Sequence, residues 1–308
     1  MDAKGKDYVS AISSYGSRSI IYSIGLRILF ACRSPPAAVS IAAMKVAYVQ
    51  IDPIFGCKVA NIEKAIYLME TNPADLYVLP ELFATGYLIL TKNEADELAE
   101  SPADGLTIRL LSNFAADRNC AVVFGFAERG EDEFYNSSAF IDQSGLRSIY
   151  RKIHLFATEK LVFSSGRSLP NAIEYKGMRL GMMICFDWIF PEIARNLAVK
   201  GADLICHPAN LVLPYCQAAM VTRSIENHIF TLTCNRIGWE SRKGQECRFT
   251  GGSQITDPWG NVLQRAATDK EEVFVADINY VDARDKRINK YNDLLLDRRP
   301  DLYNLSGE

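Results

Sequence analysis

Three short segments each set a reactive side chain at the end of a strand. In LPELFATGY (79–87) an apolar run stops at Pro80 and delivers Glu81. A carboxylate among Leu79, Leu82, Phe83 and Tyr87 is poorly solvated and suited to general-base work, although the same glutamate could cap a loop or pair with an arginine. In YRKIHLFATEK (150–160) Lys152 is followed at once by Ile153, Leu155 and Phe156. Turned inward, such a lysine stabilises an oxyanion or favours a nearby thiolate; turned outward, it is a solvated strand end. His154 reads either as the base of a Cys/His pair or as a packing histidine, and Glu159 as an acid within reach of the lysine's cavity. In RLGMMICFDWIFPE (179–192) a strand runs into Cys185, turns sharply, and enters a helix at Pro191, a favoured first-turn position. A thiol on a strand-to-helix turn stands clear of its sheet as a nucleophile elbow, and the N–H groups after it, beginning with that of Phe186, can face a developing oxyanion.

These groups need strands and helices to hold them, and the pattern supplies both in alternation. Lys45–Ile51, Leu76–Leu79, Ala121–Phe126, Arg179–Ile184, Asp203–Cys206, Ile229–Cys234, Ser253–Thr256 and Val273–Asp277 read as strands, with a hairpin at Tyr135–Ile141 and Leu146–Tyr150 around 143–145. Helical periods run over Cys57–Glu70, Leu106–Arg118, from Pro191 through EIARNLAVK, and around 215–228. Strand–helix alternation without a linker after residue 44 predicts one α/β domain.

The 308 residues carry 34 Lys+Arg against 37 Asp+Glu, a net charge of −3, and 48 % apolar residues. With no basic excess, a nucleic-acid partner is not expected, and no apolar run is long enough to span a membrane. The eight cysteines include no C-x-x-C pair, and His154, His207 and His228 stand apart, so a zinc site has no support. Most of the cysteines lie in apolar strand-like runs, where the residue acts as a small hydrophobe, and a reducing, cytoplasmic location is expected. Residues 1–43 are Ser-rich, with an apolar stretch at 20–32 broken by Arg27. They read as an N-terminal extension outside the fold, whether an upstream start, an unstructured extension or a targeting segment, with the domain occupying 44–308 and a C-terminal tail from about 280.

Taken together and in order, PELFATGY, YRKIHLF with Glu159 beyond it, and GMMICFDWIFPE resemble the nitrilase or carbon–nitrogen hydrolase superfamily, and among its members the small archaeal-type branch. The resemblance continues through GADLICHPANLVLPY (201–215), RSIENHIF (223–230), NRIG (235–238), FTGGSQITDPWGNVL (249–263) and NKYNDLLLDRRPDLY (289–303). It implies a four-layer αββα sandwich and a triad of Cys185, Glu81 and Lys152, with Glu159 positioning the lysine and the Phe186 N–H serving the oxyanion. Neither a metal nor an organic cofactor is implied. Tyr87, Trp188, Asn210 and Tyr215 fall in family-like positions lining the substrate pocket. A small amide (aliphatic, ω-amide or carbamoyl) is the expected substrate, because Cys185-Phe186-Asp187 departs from the Cys-Trp-Glu of many nitrile-acting members; a nitrile is the alternative. Assembly as a homodimer or larger homo-oligomer is implied as well.

Two other classes stay open on sequence: a non-catalytic binding module of the same fold, and an unrelated acyltransferase using His154 or His207. The intact Glu81, Lys152 and Cys185 set argues against the first. Cys185→Ala is expected to abolish turnover with the fold intact by circular dichroism, and ammonia release retained in that variant would refute the nucleophile assignment.

Overall fold

The computed structural model describes residues 43–303. Residues 1–42 of the expected extension lie outside the described residues. Two six-stranded sheets form the centre of the domain. The first comprises β1 (Ala43–Gln50), β2 (Leu76–Val78), β3 (Ala121–Arg129), β4 (Phe134–Asp142), β5 (Gly145–Arg151) and β14 (Glu272–Asn279), in the order β14-β1-β2-β3-β4-β5. The second comprises β6 (Ile173–Tyr175), β7 (Met178–Met182), β8 (Leu204–Pro208), β9 (Phe230–Cys234), β12 (Gln254–Thr256) and β13 (Val262–Arg265), in the order β13-β12-β9-β8-β7-β6. A separate hairpin pairs β10 (Trp239–Arg242) with β11 (Gln245–Arg248). In each sheet the central strands β1, β2, β3 and β7, β8, β9 run parallel, flanked by antiparallel edges.

Period-two alternation explains how the layers stack. Along β1, Met44, Val46 and Tyr48 point into one core, while Ala47 and Val49 point into another. The first core is shared with Leu180, Met182, Leu204, Cys206 and Leu232 of the second sheet, so the two sheets face each other. The second core packs the outer face against α1 (Lys58–Thr71) and α3 (Leu106–Arg118) through Ile62, Ala65, Met69, Leu111 and Phe114. On the far side α4 (Pro191–Val199) and α5 (Cys216–Asn227) cover the second sheet: Leu197 presses on Gly181 of β7, and Ser224 shares a 2.9 Å hydrogen bond with Thr231 of β9. The result is the four-layer αββα sandwich. Among the described residues no helix is long and apolar enough to cross a membrane.

The expected long elements are present with their ends shifted by few residues; α3 keeps its expected limits. Several short ones carried too weak a period to be read: α2 (Lys92–Leu98), the edge strands β6 and β13, and the β10–β11 hairpin. Three-residue strands have no alternation to detect, and α2 is held by its Thr91 cap, whose hydroxyl accepts the Glu94 N–H at 3.2 Å. The cysteines at 120, 206, 216 and 234 are buried free thiols.

One packing contact bears directly on chemistry. After β2 the chain crosses over β3 so closely that a Cβ on Gly125 would stand 2.5 Å from Glu81 Cα and 2.7 Å from the Leu82 nitrogen. Both are backbone atoms with nowhere to go. Gly125→Ala is therefore expected to cost about 1–3 kcal/mol of stability by overpacking and to lower kcat at least about tenfold by displacing Glu81. Thermal melting and steady-state rates measured on the same preparation check both, and an unchanged rate would show that Glu81 tolerates movement.

Candidate active site

The reactive side chains come from one end of both sheets. Glu81 lies three residues past the end of β2, and Lys152 directly follows β5, with β3 and β4 between the two strands. Asn136 of β4 joins the two: its carbonyl accepts the Lys152 N–H at 2.9 Å, and its Nδ2 donates to Glu81 Oε1 at 2.7 Å. Lys152 points inward and is fully buried. Its Nζ donates to Glu81 Oε1 at 2.6 Å and to both oxygens of Glu159 at 2.9 Å. Glu159 reaches it from a 3₁₀ turn at Ala157–Leu161, where its own Oε2 also accepts the Phe156 N–H at 3.1 Å. The structure turns Lys152 inward, and Glu81 pairs with that lysine and, among the described residues, with no arginine.

Cys185 enters from the second sheet, at the start of a 3₁₀ turn (Cys185–Ile189) between β7 and α4. Its φ of +39° is left-handed, a conformation that costs a non-glycine residue about 1–3 kcal/mol and persists only where surroundings enforce it. Two neighbours do so. His207 of β8 donates from Nε2 to the Cys185 carbonyl at 2.9 Å, leaving Nδ1 to accept from the Thr233 hydroxyl at 3.0 Å. Burial pushes the His207 pKa down, so the ring is neutral and this tautomer fits both partners. Asp187, also fully buried, accepts the Ile184 N–H at 3.0 Å, the Tyr150 hydroxyl at 2.9 Å, and His154 Nδ1 at 2.8 Å. His154 stacks on Phe190 with ring centroids 3.7 Å apart. Its ring nitrogen is thus committed to Asp187, which gives it the packing and hydrogen-bonding role.

The electrostatics follow from burial and neighbours. Burial opposes charge on Lys152, yet the Glu159 and Glu81 carboxylates outweigh it and hold the ammonium above its usual range. Burial raises Glu159 above the ordinary carboxylate value, against the pull of Lys152. The Cys185 thiol is pushed well up, first by burial and then by Glu81, with Lys152 acting in the opposite sense. The thiol is therefore neutral at rest, and attack requires a base at the moment of bond formation. Glu81 Oε2 is buried without a hydrogen-bond partner, which leaves it free to accept that proton.

The expected pocket residues do not all reach the cluster. The Tyr87 hydroxyl stands among Glu159, Glu81 and Cys185, and its ring meets Phe249 edge-on at 5.8 Å. Asn210 ties the sheets together by donating from Nδ2 to the Glu81 carbonyl at 2.8 Å, while its Oδ1 has no partner. Trp188 is buried in a core cluster that includes residues of both sheets and of α4 and α5. Tyr215, at the start of α5, is 63 % exposed and is not brought to the cluster. The Phe186 ring packs against Phe156 and Phe190. Sequence reasoning missed Asn136, Asp187 and His207 as supports. For His207 a usable signal existed, a lone histidine at the carboxyl end of the buried run LICHP; Asn136 has none short of knowing the strand order. Among the described residues no group of three or more His, Cys, Asp or Glu is arranged to hold a metal ion.

A cleft of about 860 Å³ lies elsewhere, lined by Glu128, Tyr135, Arg151 and Arg167 among others and by none of Glu81, Lys152 or Cys185.

Comparison with known proteins identifies the family. The sequence profile of the family described as Carbon-nitrogen hydrolase matches residues 13–288. The chain is 43 % identical over 263 residues to a nitrilase of Pyrococcus abyssi (strain GE5 / Orsay), covering 84 % of this chain and 99 % of that one. It is 33 % identical over 272 residues to an (R)-stereoselective amidase of a Pseudomonas species, covering 86 % and 94 %. In structure it is similar to an amidase from Nesterenkonia sp., with a TM-score of 0.70 at 24 % identity over 87 % of this chain and 98 % of that one. Family profile, relatives and fold converge on one assignment: this chain belongs to the carbon-nitrogen hydrolase family.

Proposed function

We propose that the protein hydrolyses a small primary amide (aliphatic, ω-amide or carbamoyl) to the acid and ammonia through a thioester on Cys185. Glu81 Oε2 takes the thiol proton as Sγ bonds to the carbonyl carbon. The charge growing on the carbonyl oxygen is met by the Phe186 N–H and by Lys152. Lys152 has three N–H donors, and the two carboxylates engage all of them at rest, so serving the oxyanion means releasing one from Glu159. Collapse of the tetrahedral species breaks the C–N bond, and ammonia leaves with the proton held by Glu81. Glu81 then takes a proton from water as its oxygen attacks the thioester; the C–S bond breaks and the proton returns to sulfur.

The observation that carries the amide reading is the set of buried, unpartnered acceptors at the site, Glu81 Oε2, Asn136 Oδ1 and Asn210 Oδ1. A primary amide brings two N–H donors to such atoms, whereas a nitrile brings none and leaves them unsatisfied. A nitrile is the second reading, favoured by the identity to the Pyrococcus abyssi nitrilase. A homo-oligomer is part of the proposal, since Ile288, Tyr291 and Leu296 of the tail and Ile189 and Ile225 near α5 expose apolar surface that a second copy would cover. So is a hydrolase domain beginning near residue 44, working in the reducing cytoplasm where its buried thiols stay free.

Ammonia release from one carbon skeleton offered as primary amide, carbamoyl derivative and nitrile, with Cys185→Ala as the blank, tests the reading. Release from the amide or carbamoyl compound is expected, and release from the nitrile alone would hand the site to the second reading. The electrostatics give a further expectation. Glu81 raises the thiol and Lys152 lowers it, so Glu81→Gln removes a raising charge and leaves the lysine's pull. That variant should lose turnover by at least about 10²-fold yet alkylate at Cys185 with a titration midpoint below the wild type's. Iodoacetamide labelling across pH, read by mass spectrometry of the Cys185 peptide, checks it; a midpoint moved upward would contradict the assigned charges.

A further inference from the structure

The chain that leaves Glu81 is gripped from far along the sequence. Glu240, at the second position of β10 and buried, accepts the Tyr87 N–H at 3.0 and 3.1 Å on its two oxygens and the Leu88 N–H at 2.8 Å. Behind it lies Arg236, also buried. Its guanidinium pairs with Glu240, donates to Asp52 at 2.8 Å and to the carbonyls of Ile237 and Pro53 at 3.1 and 3.2 Å, and covers the Phe249 ring at 4.0 Å. Phe249 is the ring against which Tyr87 packs edge-on. The close approach requires glycine at 86: its φ is +82°, and a Cβ there would stand 3.0 Å from Glu240 Oε1 and 2.9 Å from Phe55 Cα. The proposed mechanism uses none of Arg236, Glu240 or Phe249.

A buried arginine–carboxylate pair is a poor way to gain stability, because well-packed apolar residues of like volume commonly do as well or better. What such a pair does well is fix geometry, since a bidentate carboxylate accepts from several N–H groups at once. Here the fixed object is the backbone that carries Tyr87. We propose that the Arg236–Glu240 pair is the positioning device of the substrate pocket: it holds the Tyr87 ring against Phe249 and its hydroxyl beside Glu159, and thereby sets how well a small amide is seated before Cys185 attacks. The proposal rests on the amide reading of the site. Arg236 and Glu240 are positioning residues that act through Tyr87, not catalytic ones.

Iodoacetamide separates this proposal from that reading, because it is itself a small primary amide and marks Cys185 without turnover. Sγ bonds to the methylene carbon, iodide leaves, and the thiol proton passes to Glu81. Labelling of the Cys185 peptide in the full chain is followed against reagent concentration for the wild type, Glu240→Gln and Arg236→Lys, with circular dichroism on each. The wild type should saturate. Glu240→Gln keeps one acceptor oxygen but loses the ion pair, and should raise the half-saturating concentration about tenfold with the maximal rate within about twofold. Arg236→Lys keeps the charge without the fork and should give a rise of about threefold. Unchanged half-saturation in both variants, a fall in the maximal rate alone, non-saturating labelling of the wild type, or no folded product from either variant would each overturn the clamp. Saturable labelling with the expected shifts in a protein that hydrolyses no amide would sink the proposed substrate and leave the clamp standing.

Discussion

The structure depends on keeping an ammonium ion with no access to solvent. Removing Lys152 from water costs several kcal/mol, and only close carboxylates can offset that. Two are supplied, Glu81 at 2.6 Å and Glu159 at 2.9 Å. One is distant in sequence, following β2 71 residues before the lysine, and the other sits on a turn seven residues past it. The first sheet must therefore hold the ends of β2 and β5 in register across two intervening strands, and Asn136 is the link that measures the gap. Gly125 belongs to the same constraint, for the Glu81 backbone can reach over β3 only where no side chain stands.

The second sheet brings the sulfur, and two ties set its distance from the first. Asn210 donates to the Glu81 carbonyl, and the Tyr150 hydroxyl of β5 donates to Asp187 in the turn that Cys185 opens. The left-handed Cys185 is held from behind by His207, whose neutral ring suits a spot already crowded with charge. An imidazolium there would add a cation beside Lys152, and burial prevents it. The pieces that look secondary are the ones that convert two sheets into one site.

How much of this was legible depended on whether a residue's signal was local. Glu81 and Cys185 stand where an apolar run stops and Lys152 where one begins, and those breaks are visible along the chain; so were α1, α3, α4 and α5, whose apolar spacing spans several turns. The sandwich architecture came with the resemblance that those motifs carried. Asn136 was invisible because it lies mid-strand in an ordinary FYNSSAFID run, and its meaning comes only from its neighbours in β3 and β5. Glu240 was invisible for the same reason at longer range: 153 residues separate it from the Tyr87 N–H that it accepts. Tyr215 shows the converse, since a position beside a motif need not face it: the residue that opens a helix is easily turned to solvent.

The charge balance explains why these two carboxylates are not interchangeable. Both touch Lys152, but Glu159 spends both oxygens on the ammonium and one of them also on the Phe156 N–H, while Glu81 uses Oε1 alone and keeps Oε2 bare. A proton acceptor needs an open lone pair, and Glu81 Oε2 has no hydrogen-bond partner while both Glu159 oxygens already accept. In the proposed mechanism Glu159 is the group that gives up a lysine N–H when negative charge appears on the substrate oxygen. The division of labour thus follows from hydrogen-bond occupancy. Two chemically identical side chains on one cation are set apart by which oxygens the backbone and Asn136 have already taken.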